Sequence, residues 1–233
     1  MAYTRAQVRD LVRRRCDIEN SSQELDSEIN QHLNDAAAYV HDFLIGTLGE
    51  LYETREATLT VAAGATSVTS SFTGVAADIY RPISLRIVFD DISYPLAAFS
   101  RADHVQLTQN TSWGPGYLPC YRIIYGAYGS IKFEFSPPPD TTQSVIVTYH
   151  GIAPVYTADS DLVWLPYPDL LVVEAAIRMK DKEERDSQRL MAERALIQKR
   201  IEDWVGTVDS ANPPHTMWAP KGARAIWRRQ RLF

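Results

Sequence analysis

The longest stretch with a single plausible structure runs from Trp164 to Val205, and the rest of the chain has to accommodate it. It opens Leu165-Pro166-Tyr167-Pro168-Asp169, where Pro168 suits a first helical turn because its missing N–H would be unpaired there anyway. Leu170, Val173 and Ile177 follow at three- and four-residue spacing, Ala175 and Ala176 are strong helix formers, and Glu174 places negative charge near the positive end of the dipole. The pattern fades into Lys180-Asp181-Lys182-Glu183-Glu184-Arg185-Asp186 and resumes as Leu190, Ile197, Ile201 and Trp204 before stopping at Gly206. One straight rod would be far longer than globular helices usually are. Asp186 or Ser187 can cap a second segment, so the spacing predicts a helix, a charged elbow and a helix.

Composition limits what those helices belong to. At 233 residues and 45% hydrophobic content the chain can bury a real core, in one domain or two small ones. No apolar run approaches the ~20 residues that span a bilayer, and Met1-Ala2-Tyr3-Thr4 leads into an amphipathic pattern, so a soluble, untargeted chain without membrane contact is expected. Cys16 and Cys120 lie far apart in unlike contexts and read as buried free thiols, neither a disulfide framework nor a zinc site.

Two helices are expected at the N-terminus. Thr4 and Gln7 have capping-box spacing, Val8, Leu11 and Val12 form one stripe, and Arg13-Arg14-Arg15 favours the negative helix end. After the polar link Glu19-Asn20-Ser21-Ser22-Gln23, Asp26 is a candidate cap for a stronger helix in which Ile29, Leu33, Ala36, Val40 and Leu44 step by three or four up to Gly46. Neither helix hides its stripe alone, so the two ends of the chain form one helical unit.

The middle has a different period. Arg55 to Val61 alternates apolar and polar residues, and Ile83 to Phe89, Ile92 to Tyr94, Tyr121 to Tyr125, Ile131 to Phe135 and Val145 to Tyr149 read as strands. Asp90-Asp91 and Pro137-Pro138-Pro139-Asp140 turn the chain, Ser100 is placed to cap a short helix through Arg101, His104 and Leu107, and Trp113-Gly114-Pro115-Gly116 reads as a loop. The fold class is therefore α+β: N- and C-terminal helices forming a helical bundle (1–50 and 161–208), an inserted antiparallel β domain (51–160) and an extended C-terminal arm (209–233).

In the arm, Asn212-Pro213-Pro214 forbids helix, and Trp218, Trp227 and Phe233 are scattered among Lys221, Arg224, Arg228, Arg229 and Arg231. Five basic residues against one acid give it a formal +4, so that with −5 for the whole chain the remainder carries −9. Burying the three aromatics at ~200 Å² each gains ~15 kcal/mol gross, whereas ordering about 25 residues costs at least ~1 kcal/mol apiece. Aromatic anchoring alone does not hold such an arm, which is expected to order only on a partner, with its aromatics and arginines as anchors.

Chemistry is nearly absent. His32, His41, His104, His150 and His215 show no metal-binding spacing, and no Walker loop, dinucleotide fingerprint or nucleophile elbow occurs. Asp90-Asp91 and Glu183-Glu184 read as solvated charge. Tyr117, Tyr121, Tyr125 and Tyr128 have base-stacking chemistry, but tyrosine on a strand is more often cross-strand packing. Neither an enzyme nor a cofactor is expected.

Helices at both ends, a β insertion, Leu165-Pro166 opening a helix that runs into a charged Lys/Glu/Asp stretch, and a Trp/Arg-bearing extended C-terminus together resemble the head-to-tail adaptor proteins of tailed bacteriophages. The resemblance spans the chain, with Leu165-Pro166 through Asp186 its most specific part. It implies a structural virion protein of the neck, assembled in the host cytoplasm, of which about twelve copies form a ring beneath the portal. The helical part then packs subunit to subunit, the arm reaches onto the portal ring, the β domain faces tail or nozzle proteins, and DNA passes the channel without sequence-specific binding. Portal-binding candidates are Trp218, Arg224, Trp227, Arg228, Arg229, Arg231 and Phe233; subunit-contact candidates are Lys180, Lys182, Glu183, Glu184, Arg185 and Asp186. The alternatives are a nucleic-acid-binding accessory module using the basic arm, which the acidic body argues against, another tail or neck completion protein, and a hydrolase with an unrecognised carboxylate pair.

Overall fold

Thr4 and Gln7 cap the first helix reciprocally: the Gln7 N–H donates to Thr4 Oγ1 at 3.3 Å and the Thr4 N–H to Gln7 Oε1 at 2.9 Å. This capping box joins a two-residue strand β1 (Tyr3–Thr4) to α1 (Arg5–Cys16). The computed structural model describes residues 3–16, 26–70, 78–99, 118–126, 130–163 and 167–211. Mixed helix and sheet make it an α+β protein. It divides into two compact units, Met1–Phe43 with Val155–Phe233, and Leu44–Pro154.

The first unit holds α1, most of α2 (Asp26–Leu48), α3 (Pro168–Lys182) and α4 (Gln188–Ala211). Pro168 begins α3 as expected. Every residue from Leu170 to Ile177 is buried, and Met179 as well. α1 and α4 both pack against α3. Val8 and Val12 of α1 and Ile29, Leu33, Ala36 and Val40 of α2 are buried at the predicted stripe positions, while Leu11 is half-buried; of the two thiols expected to be buried, Cys16 is buried and Cys120 only half-buried. α3 and α4 are separate helices, broken where the sequence indicates. The Glu183 and Arg185 N–H groups close the last turn of α3 onto Met179 and Lys180 carbonyls, Glu184 turns the chain at φ +55°, and the Met191 N–H donates to the Ser187 carbonyl to begin α4.

Two features of this unit depart from expectation. Residues 155–163 go with the helices, and β10 (Leu162–Val163) pairs antiparallel with β1. In addition α4 does not stop at Gly206 but continues to Ala211, so 209–211 are helical and not extended. A mid-helix glycine costs only about 1 kcal/mol relative to alanine, and the first proline after it is Pro213.

In the second unit the described residues form two four-stranded sheets. One has the order β2 (Arg55–Val61), β9 (Gln143–Gly151), β4 (Ile79–Phe89), β5 (Ile92–Pro95), with every neighbouring pair antiparallel. The other runs β3 (Ser67–Ser70), β8 (Ile131–Ser136), β7 (Cys120–Tyr125), β6 (Ala97–Ala98). Its β6–β7 pair is parallel, a two-residue exception to the predicted antiparallel arrangement. Ala57, Leu59 and Val61 of β2, Leu85 and Ile87 of β4, Val145 and Val147 of β9 and Phe133 and Phe135 of β8 fill one core. Phe89 and Ile92 pair across Asp90 and Asp91, whose φ values of 48° and 63° suit a two-residue hairpin turn. The short helix expected after Ser100, the loop at Trp113 and the arm from residue 212 onward lie outside the described residues.

Candidate functional site

Among the described residues no group of His, Cys, Asp and Glu is placed to hold a metal ion. His41 and His150 are buried, and His150 lies beside the Tyr52 ring with Nδ1 3.1 Å from the Glu53 carbonyl. Tyr121 packs in the sheet core, which removes it from base stacking, whereas Tyr125 is 65% exposed. Tyr117, Tyr128, His104 and His215 lie outside the described residues. What the geometry offers is surface and the ion-pair frame beneath it.

The frame centres on Glu174, 4% exposed in the middle of α3. Arg178, one turn on, donates Nε to Glu174 Oε1 at 3.1 Å, and Arg194 of α4 donates Nη1 to Oε2 at 2.9 Å. The Arg194 guanidinium lies 5.7 Å from the centroid of the Tyr39 ring of α2, and Gln198 donates to the Tyr39 hydroxyl at 3.0 Å. One carboxylate thus ties three helices. The sequence reading gives Glu174 a dipole role, but it lies beyond the first turn and its work is this clasp. Its signals were present: an i,i+4 arginine and an apolar neighbour on every side.

A second clasp fixes α1. Arg5 and Arg9 donate to Asp159 at 2.7 and 3.0 Å, Arg9 and Arg13 also face Asp26, and Arg15 pairs with Glu193 of α4. The Arg5 and Arg9 hydrogen bonds hold the Asp159 carboxyl below its usual range, and the Ala158 and Thr157 N–H groups do the same for Asp161. Asn34 of α2 is bonded to both the N–H and the carbonyl of Tyr156. The pairing of Arg5 and Arg9 with Asp159, of Arg15 with Glu193 and of Asn34 with Tyr156 was not legible, because each joins residues over a hundred positions apart.

In the sheet unit, Arg55 donates to Asp78 at 2.9 Å and the Tyr149 hydroxyl to the same carboxylate at 2.8 Å. Burial and then the Asp78 carboxylate push the Tyr149 hydroxyl up to about 12. A Cβ on Gly151 would stand 2.9 Å from the Arg55 guanidinium, which would then have to shift. The Asp78 carboxylate is thus shared by Arg55 and Tyr149.

The elbow residues fall at the α3–α4 turn. Lys182 is engaged within the chain, its Nζ 2.6 Å from Glu28 of α2, which it holds below the usual carboxylate range. Arg185 pairs with Glu183 at 2.8 Å, and Asp186 accepts the Gln188 N–H at 2.9 Å. Lys180 and Glu184 make no ion pair among the described residues. The seven portal candidates, Trp218, Arg224, Trp227, Arg228, Arg229, Arg231 and Phe233, all lie outside them.

Residues 3–217 match the family described as SU10 adaptor protein. The chain belongs to that family. The match takes in both units and nearly the whole sequence. SU10 adaptors are structural phage proteins and not an enzyme family. Membership makes the chain a virion component; no helix among the described residues is long and apolar enough to cross a membrane. No curated protein matches the chain. Within the adaptor, the helix most available to a neighbour is α4, where Met191, Leu196 and Trp204 are 41%, 59% and 50% exposed.

Proposed function

We propose that this SU10 adaptor joins head to tail: copies arranged as a ring, on the order of twelve, lie between the portal and the tail, and the segment from residue 209 onward docks on the portal. The observation that carries the reading is the family match across residues 3–217. Supporting it are the charge polarity of the chain, +4 from residue 209 against −9 before it, and a helical unit whose last helix keeps large apolar side chains in water. The N- and C-terminal helices act as a bundle that carries ring contacts, and the sheets face tail or nozzle proteins. DNA passes through the ring unread.

Ring contacts made of exposed ion pairs are worth ~0–1 kcal/mol each, and they accumulate when a template fixes many copies side by side. Sedimentation of the purified protein at micromolar concentration should show monomer alone and a ring once the portal is added, visible by electron microscopy. A chain ending at Ala211 should fold but fail to join the portal. Portal binding undiminished by that truncation, or arm-dependent DNA binding at moderate salt in its place, would overturn the docking role.

A further inference from the structure

α2 and α4 carry opposite uncompensated charge on their outward faces. α2 contains no lysine or arginine. Of its acids, Asp26 and Glu28 are held by Arg13 and Lys182, whereas the exposed Asp35 and Asp42 have no ion pair among the described residues. Exposed Ala38 stands between them, three residues after one and four before the other. All three lie on one side of the helix, because steps of three and four return to the same face.

α4 shows the converse over its first half. Glu193 and Arg194 are consumed by Arg15 and Glu174, leaving exposed Arg189, Lys199 and Arg200 without an ion pair among the described residues. Leu196, 59% exposed, stands between Arg189 and Arg200 on that outward side, with exposed Ala192 one turn before it. Glu202 and Asp203 restore negative charge beyond, so the basic stretch is bounded. A bulky apolar side chain flanked by bases on one helix and an alanine flanked by acids on another are complementary in both shape and sign.

We propose that the α4 face of one copy, Arg189, Leu196 and Arg200, docks on the α2 face of a second copy, Asp35, Ala38 and Asp42. The inference rests on the ring reading and specifies its contact. The two faces differ, so the contact can repeat head-to-tail from copy to copy, and such a heterologous contact forms a ring where its rotation closes. Leu196 seats over Ala38, and the arginines reach the two aspartates on either side. The occupant is this chain itself because the surplus charge on each face is matched in sign by the other. The elbow then serves to orient α4, with Lys182 and the Glu183–Arg185 pair engaged internally.

Charge exchange on full-length protein with the portal present tests this. Asp35→Lys with Asp42→Lys should weaken ring formation about tenfold or more, as should Arg189→Glu with Arg200→Glu, because attraction becomes repulsion at two points. All four changes in one chain should restore the ring. Each variant must melt like the parent, as expected of exposed positions. A portal-bound ring unaffected by either pair, or four changes in a folded chain that fail to restore it, would overturn the contact while leaving the ring reading intact. A parent chain that forms no ring with its portal would remove both. Ala38→Cys with Leu196→Cys should, under oxidation on the portal, give a ladder of covalent oligomers; a product stopping at dimer would mean a two-fold contact and refute the heterologous one.

Discussion

α3 and α4 follow one another in sequence and share a recurring apolar pattern, yet they meet solvent in opposite ways. α3 is buried at every residue from Leu170 to Ile177, whereas α4, over 24 residues, buries the apolar side chains of Leu190 and Ile201 among those described. A fully buried aliphatic side chain contributes ~1.5–3 kcal/mol, so the interior of the helical unit is organised by α3. α4 is attached by a narrow seam and by ion pairs, through Glu174 to Arg194 and Arg15 to Glu193. A helix surrounded on every side has no face left for a partner. One held along a seam does, and in the proposed ring that is where a neighbouring copy would act.

The largest expected effect comes from shortening a side chain in each helix. Leu171→Ala removes a side chain with 0% exposure and should destabilise the protein by about 3 kcal/mol, the middle of the range for buried leucines. Leu196→Ala should stay within about 0.5 kcal/mol, as surface changes do, while impairing assembly. Urea unfolding followed by circular dichroism measures both. Equal losses would show that Leu196 is covered in the free chain and would erase the contrast.

Next in size is Glu174→Ala. Removing the shared carboxylate strands two guanidiniums, but the Arg178 and Arg194 side chains are 35% and 29% exposed, so water takes over part of their solvation. A loss of about 2 kcal/mol is expected, below the ~3–5 kcal/mol of a fully buried pair. Arg178→Ala should cost less, since Arg194 still meets the carboxylate. A neutral Glu174→Ala would mean that α4 is held by Leu190, Ile201 and the Arg15–Glu193 pair without help from Glu174.

Legibility in the sequence tracked distance along the chain. The Thr4–Gln7 capping box, the break between Lys182 and Gln188 and the alternation of β2 are local, and each is where the sequence places it. The strand expected from Ile83 begins at Ile79: Pro82 has no N–H for the ladder, and register shifts between Ile79 and Arg81 and between Pro82 and Ser84 accompany the pairing there. Gly206 misled at the end of α4. The proposed assembly surface was the least legible part. The elbow attracts attention because its charges are adjacent in sequence, yet several are satisfied within the chain. The surplus charges of Asp35, Asp42, Arg189 and Arg200 emerge only after the partners of Asp26, Glu28, Glu193 and Arg194 have been assigned.

The smallest expected effect concerns acid, and it acts on the α3 side of the contrast through α1, which packs against α3. Arg5 and Arg9 hold the Asp159 carboxyl below its ordinary value. A carboxylate depressed in the folded state contributes stability above its unfolded pKa of about 4 and loses that contribution as pH falls through the lower folded value. Asp159→Asn should therefore melt below the parent at neutral pH, converge with it below about pH 3, and show a flatter dependence between. Salt should shrink the difference at neutral pH, because Asp159 faces solvent and screening reaches it. The guanidiniums of Arg5 and Arg9 stay charged throughout, so the carboxyl alone sets the sign. Thermal melts from pH 2.5 to 7 at two salt concentrations read the effect directly. A constant difference at every pH would mean that the asparagine disturbs packing around Arg9, whose guanidinium is almost buried, and that the charge of Asp159 does not hold α1 to its place beside α3.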